Sequence, residues 1–255
     1  MKLCKKHHTM RKKIFAGLVG LIGTALIAGA CNVKFDSKGK TITPEGDAIT
    51  ETRDIGTFDR IDVEDAFAIH YKAGIPTDGL TIEAAPNLME YIVTEVANGE
   101  LSIRLKDRYS IHDGKIVVRV GSPTLKAVEM SGACSLNVEG ELVGDRLDLD
   151  MSGASSVNLT GRLRALDIDA SGASGITLKG SCEELTLSCS GAIGCDASEF
   201  ITQRTEVSIS GTASVKINAS ESVRGNLSGI SSLENYGASS NDEVVTSGMS
   251  SYKHK

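Results

Sequence analysis

Hydrophobic and polar residues alternate with a period of two through most of the chain, which predicts β-strands with one buried and one exposed face. In one such segment, Leu147, Leu149 and Met151 alternate with Asp148 and Asp150. The period of 3.6 residues that is typical of amphipathic helices is rare by comparison. The pattern therefore predicts an all-β fold.

A Ser-Gly pair followed by small residues occurs seven times, and successive serines are 21, 19, 19, 20, 18 and 19 residues apart. A fixed period near ~20 residues indicates a repeat architecture. When the copies are aligned on the pair, like residues fall into the same columns. Such columns favour a parallel β-solenoid with about 19–20 residues per coil over an antiparallel meander of hairpins. The pairs begin at Ser131, Ser152, Ser171, Ser190, Ser210, Ser228 and Ser247.

The repeats, residues 122–255, follow a β-rich N-terminal block over residues 53–121. Within this block, Pro86–Val96 has apolar residues at 3–4 spacing and a proline in the first turn, which predicts one short helix. Shortly after this segment, Asn98-Gly99 predicts a hairpin turn. Residues 32–52 are polar and predict a linker.

Residues 1–31 have the pattern of a bacterial export signal, because Arg11–Lys13 precede the apolar run Ile14–Ala30 and Cys31 follows small residues. The pattern predicts a lipoprotein signal in which Cys31 is lipidated. The protein would then be lipid-anchored in the cell envelope, on the periplasmic or the outer face of the outer membrane. Two alternatives stay open: an ordinary cleaved signal, and a permanent transmembrane helix. Met10 is an alternative start of translation.

Charge and composition exclude some classes of partner. The formal net charge is −6, but residues 1–31 contain six basic residues and no acid, so the remainder has 21 basic and 33 acidic residues. Proteins that bind nucleic acid need basic stripes, so nucleic acid is not a predicted partner. Because Trp is absent and only 5 Phe and 5 Tyr occur, aromatic platforms for sugars are scarce.

The main candidate for chemistry is a set of four carboxylates from two successive copies: Asp148, Asp150, Asp167 and Asp169. In a solenoid they would form a two-by-two patch on the outer face. Such a patch can hold Ca²⁺ or act as an acid/base pair on a sugar. A solvated acidic face is the simpler interpretation, because a flat sheet desolvates carboxylates little and no Arg or Lys recurs beside them. The prediction is therefore no cofactor and no metal.

Four cysteines in the repeats share columns with aliphatic or small residues, so they are predicted to fill the core. No Cys-x-x-Cys spacing indicates zinc. A disulfide stays open in an oxidising compartment, although no two of the four share a column in adjacent copies. These residues are Cys134, Cys182, Cys189 and Cys195.

Catalytic motifs are absent from the sequence, which contains no G-x-S-x-G, no P-loop and no H-E-x-x-H. The histidines His70, His112 and His254 lie in no arrangement typical of general acid/base catalysis. We therefore predict no catalytic residues and no enzymatic activity.

Three features together carry a family resemblance: the Ser-Gly-Ala-Ser ladder, the strand Phe58-x-x-Ile61-x-Val63 and the lipoprotein-like signal. The chain resembles the auto-transporter adhesin family with a head GIN domain, which is common in gut Bacteroidetes. The resemblance extends over residues 57–255, with the domain predicted over 57–240. It implies a right-handed β-helix of two facing sheets, shaped like the pectin-lyase fold but without its catalytic residues, and a role in cell adhesion.

We therefore predict a non-enzymatic lipoprotein whose solenoid presents a binding surface to a glycan or a protein on a cell surface. The predicted membrane contact is the lipid anchor at Cys31, and a homo-oligomer is compatible with the pattern. Two alternatives stay open, a carbohydrate-active β-helix enzyme and a purely structural envelope protein.

Overall fold

The structure is a computed structural model that describes residues 39–76 and 79–255, and this part of the chain is all-β with one short 3₁₀ helix. The predicted export signal, including Cys31, lies outside the described residues. The 3₁₀ helix spans Pro86–Tyr91. The strands are β1 (Lys40–Ile42), β2 (Ile49–Arg53), β3 (Arg60–Val63), β4 (Ala68–Ala73), β5 (Leu80–Ala84), β6 (Ile92–Ala97), β7 (Glu100–Leu105), β8 (Tyr109–Ile111), β9 (Val117–Ser122), β10 (Ala127–Met130), β11 (Ser135–Glu139), β12 (Leu142–Met151), β13 (Ser156–Leu227), β14 (Ile230–Asn235), β15 (Glu243–Thr246) and β16 (Ser251–His254).

All described strands except β1 and β8 join one hydrogen-bonded sheet, and β1 and β8 pair with each other. The antiparallel pairs of this sheet all precede the repeats: β2 with β5, β5 with β9 and β6 with β7. Strands β3 and β4 of the block pair in parallel with β10 and β11 of the first repeat. The block and the repeats are therefore parts of one continuous structure.

The stretch predicted as a polar linker, residues 32–52, contains two strands within its described part. Lys40 of β1 is opposite Tyr109 of β8, and β2 pairs with β5. At the end of β2, the Arg53 guanidinium donates hydrogen bonds to the carbonyl oxygens of Met89 at 3.0 Å and Ile92 at 2.7 Å. Polar side chains suggested a linker because they need no core, but edge strands can carry them on their solvent side.

The predicted helix over Pro86–Val96 is wrong in its second half. The 3₁₀ helix ends at Tyr91, and Ile92–Ala97 forms β6, which is rich in β-branched residues and pairs with β7. Pairing with β7 gives these backbone groups partners that a helix end would lack. The hairpin turn is confirmed, because Asn98 and Gly99 join β6 and β7 with φ of 54° and 78°.

Strands of successive repeats pair in parallel, with like residues opposite one another. Between β12 and β13, Leu147 is opposite Leu166 and Leu149 is opposite Ile168. The pairs of β10 with β12 and of β13 with β14 are also parallel. The parallel register predicted from the columns is therefore confirmed at these pairs, and antiparallel hairpins across the Ser-Gly motifs are excluded there.

The Ser-Gly pairs form corners that stack directly on one another. Gly172 has φ +85°, a conformation that L side chains rarely adopt, and a Cβ at this position would collide with the carbonyl oxygen of Gly153. The amide of Ala173 donates a hydrogen bond to that same oxygen at 2.7 Å. Glycine is therefore required because no side chain fits between the two backbones. The same close approach of one corner glycine to the preceding one recurs at Gly153, Gly191, Gly211 and Gly229.

The fourth residue of several corners is a serine with a local structural role. The hydroxyl of Ser155 donates to the carbonyl of Ser152 at 3.0 Å, and that of Ser174 donates to Ser171 at 3.3 Å. Both hydroxyl-bearing residues are buried. Their hydrogen bonds satisfy the turn, as is typical of serine side chains beside a reversal of the chain.

The core differs between the block and the repeats. The block buries Phe67 and Tyr71, and the Tyr71 hydroxyl lies 2.7 Å from the Ser122 hydroxyl. The interior of the repeats consists mostly of Leu, Ile, Val, Ala and Cys side chains in columns, with Phe200 as the one buried aromatic residue among described residues 122–255. Small aliphatic residues suit layers that repeat at about 4.8 Å.

Candidate binding face

The four predicted carboxylates do form a two-by-two patch. In the register of β12 with β13, Asp148 is opposite Asp167 and Asp150 is opposite Asp169. All four alternate with buried residues and lie on the outward side of their strands. The geometry expected from the repeat alignment is therefore present, because parallel strands in register bring like residues to neighbouring positions.

The two columns of this patch differ in their partners. The Arg146 guanidinium is 2.8 Å from an Asp148 oxygen and also contacts Asp167. The sequence interpretation was that no Arg or Lys recurs beside these carboxylates, and Arg146 is indeed opposite Ala165 in the next strand, but this one arginine contacts both members of the column. Arg146 lies two positions before Asp148 on the same outward face, and its long side chain reaches both strands. Asp148 and Asp167 therefore share one counter-charge, which compensates about half of their negative charge.

The other column is longer than predicted and consists of four carboxylates on successive strands. Asp62 of β3 is opposite Glu129 of β10, Glu129 is opposite Asp150, and Asp150 is opposite Asp169. We call these four residues the acidic column. Neighbouring strands lie about 4.8 Å apart, so each carboxylate has a like charge nearby. Within the described part of the chain, none of the four has an ion-pair partner.

Two carboxylates of the acidic column have raised pKa values, because they are partly buried and lie near other negative charges. Burial, followed by the charges of Glu64, Glu129 and Glu100, raises the pKa of Asp62 to about 6. Burial and the charge of Asp169 also raise the pKa of Asp150. The pKa of a carboxyl rises when loss of solvation or nearby negative charge disfavours its ionised form. The acidic column thus carries uncompensated negative charge, which a positively charged group would stabilise.

Sequence reasoning missed two members of the acidic column. Glu129 lies two residues before Ser131, the position that Asp150 and Asp169 hold before their own serines, so the repeat alignment could have found it. Asp62 had no such signal, because β3 lies outside the repeats and only the parallel pairing of β3 with β10 places it in the column.

A second outward surface carries alternating charges that satisfy one another. Arg164 lies 2.6 Å from Asp145 and 3.9 Å from Glu184. Arg204 then lies 3.0 Å from Glu184 and 3.2 Å from Glu221. We call these five residues the ion-pair ladder. In contrast to the acidic column, it has little uncompensated charge to offer a partner.

The cysteines fill the core, as predicted, and are free thiols in the structure. Burial is the main cause that raises the pKa of Cys134 and Cys195, and it raises the pKa of Cys182 and Cys189 to about 12. A thiol that stays protonated is a poor nucleophile and a poor metal ligand. None of the four is therefore a candidate for covalent chemistry.

The histidines are bound to neighbouring polar groups. His70 Nδ1 lies 3.1 Å from Glu139, and His112 Nε2 lies 3.3 Å from Asp113. His254 Nε2 lies 2.7 Å from the carbonyl oxygen of Gly237. Over residues 39–76 and 79–255, no group of three or more His, Cys, Asp or Glu side chains is arranged to hold a metal ion.

An open groove lies beside the first half of β12. A cavity of about 380 Å³ is lined by residues 124–126, 143–146 and Asp148. Val143 is 60% exposed there, but Lys126 and Arg146 on the walls are already paired with Asp59 and with the patch carboxylates. The groove therefore has no charged group free for a ligand.

Residues 57–239 match the family model described as "Putative auto-transporter adhesin, head GIN domain". The chain belongs to this family. The match covers most of the chain, and it confirms the resemblance carried by the Ser-Gly ladder. No curated protein matches the sequence.

Solved structures of other bacterial proteins share this fold. A putative adhesin from Bacteroides fragilis has a TM-score of 0.77 and 22% identity, over 84% of this chain and 100% of that one. A putative adhesin from Parabacteroides distasonis has a TM-score of 0.67 and 18% identity, over 85% and 100%. A putative lipid binding protein from the same species has a TM-score of 0.66 and 18% identity, over 85% and 100%. At these identities the likeness concerns the fold.

Proposed function

We propose that this head GIN protein is a non-enzymatic adhesin of the cell envelope, in which a right-handed β-solenoid presents a flat binding face to a partner on another surface. The observation that carries the proposal is the register of the repeats. Because like residues are opposite one another on parallel strands, outward side chains form straight columns rather than a cleft. A flat array suits an extended macromolecular partner better than a small substrate.

The solenoid itself is supported by two features. Parallel pairs such as Leu147 with Leu166 join each repeat to the next, and the corner glycines stack from Gly132 to Gly248. Parallel strands need a crossover connection, and successive crossovers in one direction produce a coil. Connections of this kind are right-handed in nearly all proteins, which supports the hand implied by the family.

The acidic column is the part of this face that we propose for binding. Its four carboxylates have no ion-pair partner within the described chain, and burial, followed by nearby like charges, raises the pKa of Asp62 and Asp150. The complementary partner is a protein segment rich in Lys or Arg, whose side chains would reduce the repulsion along the column. A neutral glycan would not relieve it.

Anchoring through Cys31 accounts for the location. The export-signal pattern places a lipidated Cys31 upstream of the described domain, and two acyl chains or more give stable membrane attachment. Within residues 39–76 and 79–255, no helix is long and apolar enough to cross a membrane. The family's relation to adhesins supports a position at the cell surface.

An enzymatic role has less support than binding. Asp148 and Asp167, which could have formed an acid/base pair, both contact Arg146 and are held by its charge. A general acid on a sugar needs a raised pKa in an enclosed site, whereas these two lie on an open strand face. The family description also names adhesion and no reaction.

The test compares two sets of carboxylates on the full-length protein displayed on cells. We expect wild-type cells to bind an immobilised lysine-rich polypeptide, and Glu129→Gln/Asp150→Asn/Asp169→Asn to weaken this binding at least about tenfold. The matched control, Asp145→Asn/Glu184→Gln/Glu221→Gln, removes the same number of charges from the ion-pair ladder. Equal losses in both variants, or binding to a neutral glycan array instead, would contradict the assignment. A Cys31→Ser variant that stays in the membrane fraction would contradict the anchor.

A further inference from the structure

The first half of β12 has a neighbouring strand on only one side within the described residues. β13 pairs with β12 between Leu142 and Met151, whereas β10 pairs with it only from Asp148 to Met151. The second pairing is shorter because β10 has only four residues. The groove of about 380 Å³ therefore lies where β12 lacks a second neighbour, between residues 124–126 and residues 143–146.

A glycine occupies a core column beside this groove. Gly144 is opposite Leu163 of β13, which is buried. The next repeat thus has an apolar side chain at a position where this repeat has none. Apart from the chain neighbours of Gly144, a Cβ there would have one atom within 4 Å, Leu163 Cδ2 at 3.5 Å, which is ordinary van der Waals contact. The space around Gly144 is therefore open, and residues 143–146 are all exposed.

The groove combines apolar walls with charges that are already paired. Val143 is 60% exposed, and the buried Leu125 lines the other side. Each charged side chain among the described lining residues has an ion-pair partner, and these side chains are Lys126, Asp145, Arg146 and Asp148. The volume is at the low end of the range for ligand pockets, about 300–1,000 Å³. An aliphatic side chain suits this groove better than a polar group, which would find no free partner.

The groove lies next to the acidic column. Asp148 lines the groove, and Asp150 of the column is two residues further along β12. Lys126, on the other wall, precedes Glu129 of the column by three residues. A strand advances about 3.3 Å per residue, so the groove and the column are about 7–10 Å apart. One extended partner segment can therefore reach both, with an apolar and a basic residue two or three positions apart.

We propose that the groove holds an aliphatic side chain of the basic protein segment that the acidic column binds. The inference rests on the proposed function and adds a second feature to its partner. The two surfaces attract different groups, because the column carries uncompensated negative charge and the groove offers apolar contacts without a free charge. Protein interfaces typically combine an apolar centre with a polar rim. A partner that carries only lysines would leave the groove empty.

The test uses the full-length protein displayed on cells and soluble fluorescent peptides. One peptide has a leucine two positions before four lysines, and a second has serine in place of the leucine. We expect the wild-type chain to bind the leucine peptide about tenfold more tightly, which is at the low end for burial of a leucine side chain because the groove is open. A third peptide, with the leucine but without lysines, should bind at least about tenfold more weakly than the first.

Gly144→Leu is the main variant, because it places a side chain of the chain itself in the groove. We expect it to remove the preference for leucine and to leave binding of the serine peptide within about twofold of the wild type. Gly194→Leu is the matched control and should keep the preference, since nothing lies within 4 Å of a Cβ there and the residue belongs to neither the groove nor the acidic column.

A second variant covers the case in which the larger substitution impairs folding. Val143→Asn changes an exposed apolar wall to a polar one and should reduce the preference for leucine at least about threefold. Thermal unfolding of each variant separates loss of the groove from loss of the fold. A preference that is unchanged in both folded variants would overturn the inference.

The peptide results separate this inference from the proposed function. Equal binding of the leucine and serine peptides by the wild type would overturn the inference alone, whereas no binding of either would overturn both. Equally tight binding of the peptide without lysines would exclude a basic partner as the occupant. A preference that appears only after deletion of residues 33–38 would assign the groove to this chain's own segment. Self-association of the purified full-length protein that Gly144→Leu abolishes would assign it to a second copy. Each of these last three results would overturn the proposal.

Discussion

The N-terminal block and the repeats both bury one face of their strands, but they do so through different kinds of contact. The block uses antiparallel hairpins, large aromatic side chains such as Phe67 and individual clamps such as Arg53. The repeats use a single device many times, the glycine corner, and fill the layers with small aliphatic residues. Stability in the block therefore depends on separate side-chain contacts, whereas in the repeats it depends on the same close backbone approach at each glycine corner.

The two regions also differ in how their edges end. The strand order ends at β2 and β6, both of which are antiparallel strands that precede the repeats. The last repeat ends in β15 and β16, each with one partner strand in the described chain.

The largest loss of stability is expected from a substitution that disrupts a glycine corner. Gly172→Ala should lower the free energy of unfolding by about 3 kcal/mol or more, because the new Cβ meets the Gly153 carbonyl oxygen in a positive-φ conformation. Gly194→Ala is the control, since nothing lies within 4 Å of a Cβ there, and it should change stability by less than about 0.5 kcal/mol. In the block, Gly74→Ala has φ +69° and open space, so we expect about 1–2 kcal/mol. Urea unfolding measures all three, and equal losses at Gly172 and Gly74 would refute the distinction.

The next largest loss is expected when the Arg53 side chain, which holds the carbonyl groups of Met89 and Ile92, is removed. Arg53→Met should lower the free energy of unfolding by about 2 kcal/mol, because the carbonyls of Met89 and Ile92 lose a charged donor in a partly buried site. Arg162→Met is the matched control in the repeats, where the side chain is exposed and pairs with Glu141. Chemical denaturation of both variants gives the comparison. A loss at Arg162 as large as that at Arg53 would show that the clamp has no special role.

A smaller effect concerns the place where block and repeats share the acidic column. The folded state raises the pKa of Asp62 from 3.8 to about 6, so it holds the proton more tightly than the unfolded chain does. Stability from this group is therefore present below about pH 4 and is lost as the pH rises to about 6. Asp62→Asn should raise the melting temperature at pH 7 and leave it nearly unchanged at pH 4. Asp107→Asn, at a side chain that is 96% exposed, serves as the control. A benefit that is equal at both pH values would contradict the assignment.

The smallest effect concerns the ion-pair ladder of the repeats. Arg204→Met removes contacts to Glu184 and Glu221, but all three side chains are about half exposed. Exposed pairs often contribute only a few tenths of a kcal/mol each, so the expected loss of unfolding free energy for the two contacts together is about 0.5–1 kcal/mol. The difference should shrink further in 1 M NaCl, where screening is strong. A loss that persists in high salt would indicate packing by the arginine stem instead of charge.

The sites show where sequence reasoning stopped. The repeat alignment placed Asp148, Asp150, Asp167 and Asp169 together, because parallel strands in register turn a sequence period into a spatial neighbour. It did not reveal that Arg146 supplies a shared counter-charge to Asp148 and Asp167, since an arginine outside that column reaches it only through its long side chain. In the block, β-branched residues that fitted a helical spacing became β6, because pairing with β7 outweighed the local pattern.

Two-residue alternation in the sequence was enough for the all-β class, and the pattern that recurs every 18–21 residues was enough for the repeat period, the parallel register and the family. The sequence also determined that the repeat cysteines fill the core. Only the tertiary structure decided that Asp62 joins Glu129 in the acidic column and that part of the polar stretch before Arg53 forms strands. The physical reason is that these contacts join segments without a shared repeat, so no spacing in the sequence records which strand lies beside which.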